Sequence, residues 1–271
     1  MISVVVPTRD RPEALARCLA ALARQRTPQT QLEIVVVDDG DGAVAPGALV
    51  VRAGGRGPAA ARNLGARAAR GEVVCFVDDD CEPAPGWAQA LAGACADGGA
   101  AAGDTMADPA AGAPAAAAQL LTNTLMLSTR EAVAGGGATL RFAPTCNLAC
   151  HAGTLRGLPF DESFALAAGE DRDWCARLVA GGAALRHVPG AVVVHHPQLG
   201  LAGLVRQQLR YGRGAVGFRE TGGALAGSDF YRRLARATAD AGPRTAACVA
   251  LAQAAVAVGA VSAVAEQRLA R

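Results

Sequence analysis

The sequence predicts an α/β fold organised around a doubly wound, mostly parallel sheet. Short runs of Val, Ile and Leu alternate with helical patterns over the first half of the chain. Nearly every position in these runs is apolar, which is typical of strands that are buried on both faces. Polar residues follow several of the runs directly, and ligands bind at the carboxyl edge of such sheets. The fold class therefore also predicts where a functional site should lie.

The first part of the chain contains the elements that define this sheet. Pro7 is expected to end the first strand, because proline has no backbone N–H for a sheet hydrogen bond. Pro58 and Gly71 are expected to delimit the second helix. Strands are predicted over residues 2–6, 32–37, 50–51 and 73–77, the last of them central, and helices over residues 13–24, 59–69 and 86–95.

The second part of the chain is harder to interpret, because residues 100–137 are mainly Ala, Gly and small polar residues. The predicted elements are a helix over 115–127, a turn at 145–149, a helix from Gly169 to Gly181, strands over 183–187 and 191–194, and helices from 199 onward. We therefore divide the chain into a sheet domain, residues 1–197, with halves 1–99 and 100–197, and a helical C-terminal extension, residues 198–271.

Composition excludes some classes of function. Hydrophobic residues make up 51% of the chain, and the net charge of +2, carried without any Lys, gives no reason to expect a nucleic-acid partner. The 8 cysteines are scattered through apolar segments without a C-x-x-C pair. We expect buried free thiols in a reducing, cytoplasmic compartment, and no signal peptide before the first strand.

Three consecutive carboxylates, Asp78, Asp79 and Asp80, follow the strand at residues 73–77. Adjacent carboxylates repel one another unless a cation lies between them, and oxygen ligands suit Mg²⁺ or Mn²⁺. An Asp-rich turn that caps the helix after Pro85 is the alternative, but it explains one acid and not three. The cluster therefore predicts a divalent metal that holds a diphosphate.

Two other strands deliver polar residues to the same edge: Pro7, Thr8 and Arg9 follow the first strand, and Asp38 and Asp39 follow the second. An acid that follows the second strand can accept hydrogen bonds from a ribose hydroxyl or a base N–H. The loop at residues 7–11 contains no Gly, which argues against a dinucleotide site or a phosphate-binding P-loop. A metal is therefore expected to neutralise the phosphates.

Two further groups of residues are candidates for catalysis. Glu170 and Asp171 begin a helix, where backbone N–H groups and the helix dipole favour a carboxylate, and Asp171 is the better candidate general base. First-turn acids are also common without any such role. His195 and His196 end a strand, so one should point toward the crevice and the other away. The inward-facing His either completes the coordination of the metal or is structural.

The chain resembles family 2 glycosyltransferases over roughly its first two hundred residues. Seven motifs occur in the order and spacing typical of that family: VVVPTRDRP (4–12), VVVDDG (35–40), ARNLG (61–65), FVDDD (76–80), TCNLA (145–149), GEDRDW (169–174) and VVHH (193–196). The resemblance implies a GT-A fold with a nucleotide-sugar-binding half, residues 1–99, and an acceptor half, residues 100–197. It also implies a nucleoside-diphosphate sugar donor, most commonly a UDP-sugar, a Mg²⁺ or Mn²⁺ ion held by a DXD-type motif, and inversion at the anomeric carbon.

The resemblance assigns roles to individual residues. Asp80 would bind the metal with His195, and Asp171, with Glu170 beside it, would deprotonate the acceptor hydroxyl. The substrate-binding residues would be Pro7, Thr8, Arg9, Asp38 and Asp39 for the nucleoside, Arg62 and Asn63 near the base or diphosphate, Asp78 and Asp79 at the ribose or sugar, Asn147 in the sugar pocket, and Arg210.

The resemblance has limits. Processive members of the family carry a Q-x-x-R-W motif and several membrane helices, whereas Tyr211 stands in place of that Trp here. We therefore expect a single addition to a small-molecule, glycan or lipid-linked acceptor. A sugar-phosphate nucleotidyltransferase is the alternative enzyme, although the Gly-rich loop it would require is absent. A catalytically inactive nucleotide-sugar-binding protein is the other alternative, and the presence of Asp80 and Asp171 argues against it.

The uncharged segment at residues 245–265 has the length of a membrane-spanning helix. It consists mostly of Ala and Val, which contribute little to insertion, and Arg244 and Arg268 flank it. Upstream arginines form a basic region that would suit anionic lipid headgroups or an acceptor phosphate, and a solvated helix face is the alternative. We expect a soluble or peripheral enzyme whose final helix packs on its own domain or on a second subunit of a homodimer.

Overall fold

The computed structural model describes residues 1–25, 30–95, 97–164, 169–220 and 227–269. Within these ranges, one mixed sheet of 10 strands carries helices on both of its faces. Its first half comprises β1 (Ile2–Thr8), α1 (Pro12–Ala23), β2 (Leu32–Asp38), β3 (Leu49–Arg52), α2 (Pro58–Ala68), β4 (Val73–Phe76), β5 (Cys81–Pro83) and α3 (Trp87–Ala94).

The second half adds the remaining strands and the C-terminal helices. Its elements are β6 (Ala100–Ala107), α4 (Ala113–Ser128), β7 (Glu131–Ala132), β8 (Ala138–Thr139), a 3₁₀ turn (Thr145–Asn147), β9 (Leu148–His151), α5 (Ala152–Gly157), α6 (Glu170–Ala180), β10 (Leu185–His195), α7 (Leu201–Glu220), α8 (Ser228–Asp240) and α9 (Pro243–Leu269).

The strands are ordered β3-β2-β1-β4-β9-β6-β10-β8-β7, and β5 pairs with the last part of β10. The strands β1 to β4 pair in parallel, as do β6 and β10, whereas β9 runs antiparallel between β4 and β6. The carboxyl ends of β1, β2, β4, β6 and β10 consequently lie at one edge. This arrangement confirms the predicted α/β class.

Two hydrophobic cores cover the two faces of the sheet. Alternation along β1 sends Val4 and Val6 toward α1 and α3, and Val5 toward α2 and α6. Helix α2 lies very close to the sheet, because a Cβ on Gly65 would come within 2.3 Å of Val5 Cγ1. The burial of β1 on both faces explains why its sequence is apolar at successive positions.

Several element predictions were wrong in detail. β1 continues through Pro7 to Thr8, which lie opposite Val37 and Asp38, since a proline near a strand end removes only one hydrogen-bond donor. The Ala-rich run of β6 was missed, because its first residues, 0% exposed, are defined by burial and not by β propensity. Residues 148–149, predicted as the end of a turn, instead begin strand β9. The two predicted strands near the end of the sheet form one strand, β10, whose pairing with β6 is irregular between Val188 and Val193.

The C-terminal helices pack on the same chain. A third core joins α4, α7, α8 and α9 through residues such as Leu121, Leu204 and Phe230. Helices α7 and α9 cross almost in backbone contact, because a Cβ on Gly212 or on Gly259 would lie 2.1 Å from a carbonyl oxygen of the other helix. These helices therefore extend the fold beyond the sheet toward its carboxyl edge.

Candidate active site

Side chains from β1 and from the segment after β4 meet at the carboxyl edge of the sheet. The Thr8 hydroxyl donates to Asp79 Oδ2 at 2.7 Å. The Arg11 guanidinium lies 2.7 Å from Asp79 Oδ1 and 2.7 Å from Asp80 Oδ2. The sequence analysis predicted that Thr8 and these acids share one edge of the sheet, but it did not identify Arg11 as the cation beside them.

His195, and not His196, faces the acid cluster. His195 lies opposite Cys81 in the β5–β10 pairing, and its Nε2 lies 3.4 Å from Asp80 Oδ1. Its other ring nitrogen, Nδ1, lies 2.7 Å from Gln119 Oε1 on α4. His196 instead contacts Asp108, at 2.8 Å, and Glu82, at 3.2 Å. The alternation along β10 thus resolves which histidine points toward the crevice.

Gln119 holds the imidazole of His195 in a defined orientation. Gln119 is 5% exposed and its Nε2 donates to Asn123 Oδ1 at 2.8 Å, while Asn123 Nδ2 donates to the carbonyl of Thr105 at 2.8 Å. Because the amide nitrogen of Gln119 is engaged in this way, its oxygen accepts from His195 Nδ1. His195 Nε2 is therefore the ring nitrogen directed at Asp80. In the sequence, Gln119 is only the first of several polar residues on an Ala-rich helix, so no motif marks it.

The burial and the charges of this cluster shift the pKa values of its side chains. Burial tends to raise the pKa of Asp80, but His195 and Arg11 lower it to about 2. Burial tends to lower the pKa of His195, but its hydrogen bond with Asp80 and the charge of that group raise it to about 9. Burial outweighs Arg11 and Thr8 at Asp79 and raises its pKa to about 6. Without a bound cation, Asp80 and His195 thus pair as carboxylate and imidazolium at neutral pH, and coordination of a metal by His195 would release its Nε2 proton.

The residues around Asp80 fit a divalent cation. The 3.4 Å between Asp80 Oδ1 and His195 Nε2 is near the ~3 Å between adjacent ligands of an octahedral ion with bonds of roughly 2.1 Å. Cys81 Sγ lies in the same group, whose candidate ligand atoms are within 4.8 Å of one another. A hydrogen bond with Cys146 and burial raise the pKa of the Cys81 thiol well above its usual value, and a neutral thiol is a poor ligand for Mg²⁺ or Mn²⁺.

The two acids at the start of α6 differ in their surroundings. Gly169 adopts φ 104°, a conformation that favours glycine, and turns the chain into the helix. Glu170 is buried and accepts from Arg62 Nη1 at 2.9 Å, while Arg62 Nη2 lies 3.4 Å from Asp78 Oδ1. Asp171 is half-buried, and its carboxylate accepts only the backbone N–H of Arg172, at 2.8 Å, among the hydrogen bonds of the described residues.

The environment of Asp171 suits a general base. Loss of hydration raises its pKa to about 7, the negative charge of Glu170 contributes, and Arg62 and Arg172 oppose the shift. A base of this pKa is deprotonated in a large fraction of molecules at neutral pH and still binds a proton well. One carboxylate oxygen of Glu170 is engaged with Arg62 and is not free to accept a proton.

A cavity of about 480 Å³ connects these groups. Asp78, Arg62, Asp171 and His195 lie along it, and apolar side chains from α4, α8 and α9 form much of the remaining wall. Gln208 and Tyr211 of α7 and Gln253 of α9 add polar groups. The cavity thus extends from the acid cluster to a region enclosed by the C-terminal helices.

The residues predicted to bind the nucleoside lie at the loops that border the crevice. Asp38 is 1% exposed and accepts the backbone N–H groups of Gly40, Gly42 and Ala43 at 2.8–3.0 Å. Asp39 accepts those of Arg56 and Gly57 at 2.8 and 3.1 Å. Pro7 and Thr8 end β1 beside them, and Arg9 is exposed, with Nη1 3.9 Å from Asp39 Oδ2. Asp38 and Asp39 are thereby buried, loop-forming residues, and Arg9 stays exposed at the edge.

Of the predicted substrate-binding residues, Arg62 and Asp78 line the cavity, whereas Asn63, Asn147 and Arg210 are placed elsewhere. Asn63 is buried and exchanges hydrogen bonds with the backbone of Phe160. Asn147 is 0% exposed, accepts from Trp87 Nε1 at 2.8 Å and donates to two carbonyl oxygens, so it fixes the interior of the sheet. Arg210 is exposed on the outer side of α7. Motif position alone could not distinguish these residues from neighbours such as Thr145 and Cys146, which do line the cavity.

Comparison with known proteins gives a consistent result. The model of the family "Glycosyl transferase family 2" matches residues 3–150. The pre-mycofactocin glycosyltransferase of Mycobacterium tuberculosis is 31% identical over 228 residues, which cover 79% of this chain and 47% of that protein. Glycosyltransferase AglE of Haloferax volcanii is 31% identical over 98 residues, 32% of each chain. The chain spans half the length, or less, of these curated relatives.

Solved structures share the fold. The mannosyltransferase PcManGT of Pyrobaculum calidifontis, in complex with GDP-Man and Mn²⁺, has a TM-score of 0.57 at 21% identity and covers 99% of this chain and 79% of its own. The 1–349 fragment of S. aureus TarS with UDP-GlcNAc has a TM-score of 0.54 at 16% identity, with coverage of 100% and 92%. The GT-A fold is thus confirmed, with the C-terminal helices included in the superposed region.

Proposed function

Because the chain belongs to glycosyl transferase family 2, we propose that it transfers a sugar from a nucleoside-diphosphate sugar to an acceptor hydroxyl. The observation that carries this proposal is one cavity lined by both Asp171 and His195, the partner of Asp80. Structural neighbours bind UDP-GlcNAc and GDP-Man, which supports a nucleotide-sugar donor, and we propose a UDP-sugar. The reaction we propose is inverting and adds one sugar.

The donor would lie along the carboxyl edge of the sheet. Thr8, Arg9 and Asp39 border the crevice on the side of β1 and β2, where a nucleoside can be held by hydrogen bonds. Arg62, fixed by Glu170 and Asp78, presents a guanidinium at the boundary between this crevice and the cavity. The Arg11 guanidinium forms ion pairs with the carboxylates of Asp79 and Asp80 and neutralises part of their negative charge.

Asp80 and His195 are the residues that would hold Mg²⁺ or Mn²⁺. Such an ion, when bound, neutralises the charge that develops on a departing nucleoside diphosphate. The arginines near the crevice support the same charge from the protein side, in a region of low water content where such interactions are strong.

The acceptor hydroxyl would lose its proton to Asp171. Inversion requires the hydroxyl to approach the anomeric carbon from the face opposite the leaving group. Asp171 is held at the start of α6, away from the loop that carries Asp80, so the proton acceptor and the diphosphate-binding residues come from different elements. The C-terminal helices α7, α8 and α9 line the cavity on the acceptor side, which supports a single addition.

The experiment that tests this proposal is a donor screen by thermal shift with Mn²⁺ present, followed by calorimetric titration of the nucleoside diphosphate that stabilises the protein most. Asp80→Ala is expected to abolish the Mn²⁺-dependent part of this binding while the protein stays folded. Release of a nucleoside diphosphate during turnover distinguishes this activity from a nucleotidyltransferase, which releases pyrophosphate. Unchanged affinity in the Asp80→Ala variant would contradict the metal assignment.

We also propose that the enzyme contacts a membrane surface through α9. Among the described residues, α9 is the one helix long and apolar enough to cross a bilayer, yet one side of it packs against α7 and α4. Its opposite side exposes Val258 (59%) and Val261 (70%). A helix that is packed on one side and apolar on the other suits peripheral contact better than insertion.

A further inference from the structure

Arg172 is a cavity-lining cation that contacts two aromatic rings. Its guanidinium carbon lies 5.9 Å from the centroid of Phe142 and 5.0 Å from that of Phe218. It follows Asp171 on α6, and both residues line the same cavity. Contact with two rings removes most of the rotational freedom of a long side chain, so the position of this charge is fixed before any ligand arrives.

The hydrogen-bond donors of this guanidinium find no acceptor among the described residues. Within the part of the chain that the structure describes, its side chain makes neither an ion pair nor a hydrogen bond, whereas Arg62 is paired with Glu170 and Arg11 with Asp79 and Asp80. Aromatic faces attract a cation but do not satisfy its five N–H donors. Burial lowers the pKa of Arg172, although a guanidinium remains charged at any pH at which the protein is folded.

A purely structural role explains only part of this arrangement. Packing against Phe142 and Phe218 would serve as well with a neutral, apolar side chain, and it would avoid the cost of partly burying a charge that has no partner among the described residues. The cavity also contains the carboxylates of Asp78, Glu170 and Asp171, which repel anions. A fixed cation beside the candidate base is therefore suited to a ligand group that brings its own negative charge.

We propose that Arg172 binds a carboxylate or phosphate group of the acceptor, close to the hydroxyl that is glycosylated. This inference rests on the function proposed above and narrows its acceptor to an acidic one. The donor diphosphate is the other source of such an anion. Its binding residues, Asp80, His195 and Arg62, lie on other elements, and Arg172 instead shares its turn of helix with the residue that would receive the acceptor's proton.

Binding of a simple anion tests the site without knowledge of the acceptor. The protein is first saturated with Mg²⁺ and the nucleoside diphosphate found in the donor screen, which fills the donor site. Inorganic phosphate is then titrated and the shift in melting temperature is measured. The apparent dissociation constant is expected to rise by at least about tenfold in Arg172→Gln, as for the loss of a charge-assisted hydrogen bond, with partial recovery in Arg172→Lys. Arg206→Gln, an exposed arginine of α7, is the matched control and should behave as wild type.

Acceptor turnover gives the second readout. Glycerol 3-phosphate against glycerol, and methyl glucuronide against methyl glucoside, are pairs that differ by one anionic group. Wild type should favour the acidic member at least tenfold in kcat/KM, and Arg172→Gln should lose this preference while its affinity for the nucleoside diphosphate stays unchanged. Equal phosphate binding in wild type and Arg172→Gln, or weaker nucleotide binding in that variant, would overturn the proposal. Absence of donor binding by wild type would instead refute the proposed function.

Discussion

An Asp171→Asn variant is expected to bind donor normally and to turn it over at least about 10²-fold more slowly. Asn has the same shape, and its side-chain oxygen can still accept the N–H of Arg172, the hydrogen bond that Asp171 makes at 2.8 Å. It cannot accept a proton. Removal of a positioned general base costs roughly 10²–10⁴ in rate, which corresponds to about 2.7–5.4 kcal/mol of activation free energy at 1.36 kcal/mol per tenfold.

The pH dependence provides a second, independent signature of the same residue. Burial, reinforced by Glu170 and opposed by Arg62 and Arg172, raises the pKa of Asp171 to about 7. Only the deprotonated form can act as a base, so kcat/KM should fall tenfold per pH unit below about pH 7 and level off above it. This acidic limb should be absent from the residual activity of Asp171→Asn. The measurement is initial rate of nucleoside diphosphate release between pH 5 and 9.

Asp173→Asn is the matched control, because it makes the same chemical change two residues along the same helix. The carboxylate of Asp173 pairs with Arg177 at 2.7 Å and does not line the cavity. Its loss should cost a few tenths of a kcal/mol in stability, as for other i,i+4 pairs, and leave the rate unchanged. Near-normal turnover by Asp171→Asn, or an acidic limb that persists in it, would refute the role of Asp171 and reduce it to a first-turn acid.

Two other predictions follow from contacts outside the cluster of acids. Gln119→Leu removes the acceptor of His195 Nδ1, and loss of such an outer contact should weaken Mn²⁺ affinity, measured by electron paramagnetic resonance, by roughly 10–100-fold; equal affinity would show that the glutamine serves packing alone. Gly259→Val places a Cβ 2.1 Å from the Leu209 carbonyl oxygen and should lower the free energy of unfolding by about 1–3 kcal/mol. Gly157→Ala, where a Cβ meets nothing within 4 Å, is its control in the same calorimetric melt.

The sheet edge could be predicted because the relevant signals are local. A buried parallel strand must be apolar at successive positions, so β1, β2 and β4 are visible in the sequence itself. The residue that follows such a strand is necessarily at the carboxyl edge, which places Thr8, Asp39 and Asp78 correctly without knowledge of any long-range contact. Elements defined by their surroundings were missed: β6 begins with Ala residues whose strand conformation depends on β9 and β10 on either side.

The surroundings of His195 and Arg172 could not be predicted, because they depend on contacts between segments that are distant in the sequence. Gln119 is separated by 76 positions from His195, and Arg172 contacts two aromatic rings only because Phe142 and Phe218 converge on it. No short motif encodes such pairs. At Asn147 the motif led to a wrong prediction. Asn147 was assigned to the sugar pocket, but three hydrogen bonds hold its side chain in the interior of the sheet. A motif gives the position of a residue along the chain, but side-chain direction is decided by packing.

The last prediction concerns the exposed side of α9. Its buried side includes Val249, Ala252 and Gly259, and its contact with α7 is so close that insertion as an isolated span would break the third core. The exposed side is apolar over several turns, but Ala and Val give little insertion free energy. We therefore expect sedimentation with anionic vesicles and release by a carbonate wash. Val258→Asp combined with Val261→Asp should abolish the sedimentation and leave donor binding intact, since neither residue lines the cavity. Protein that remains in the washed pellet would show that α9 inserts, and the packing against α7 would then describe only a state outside the membrane.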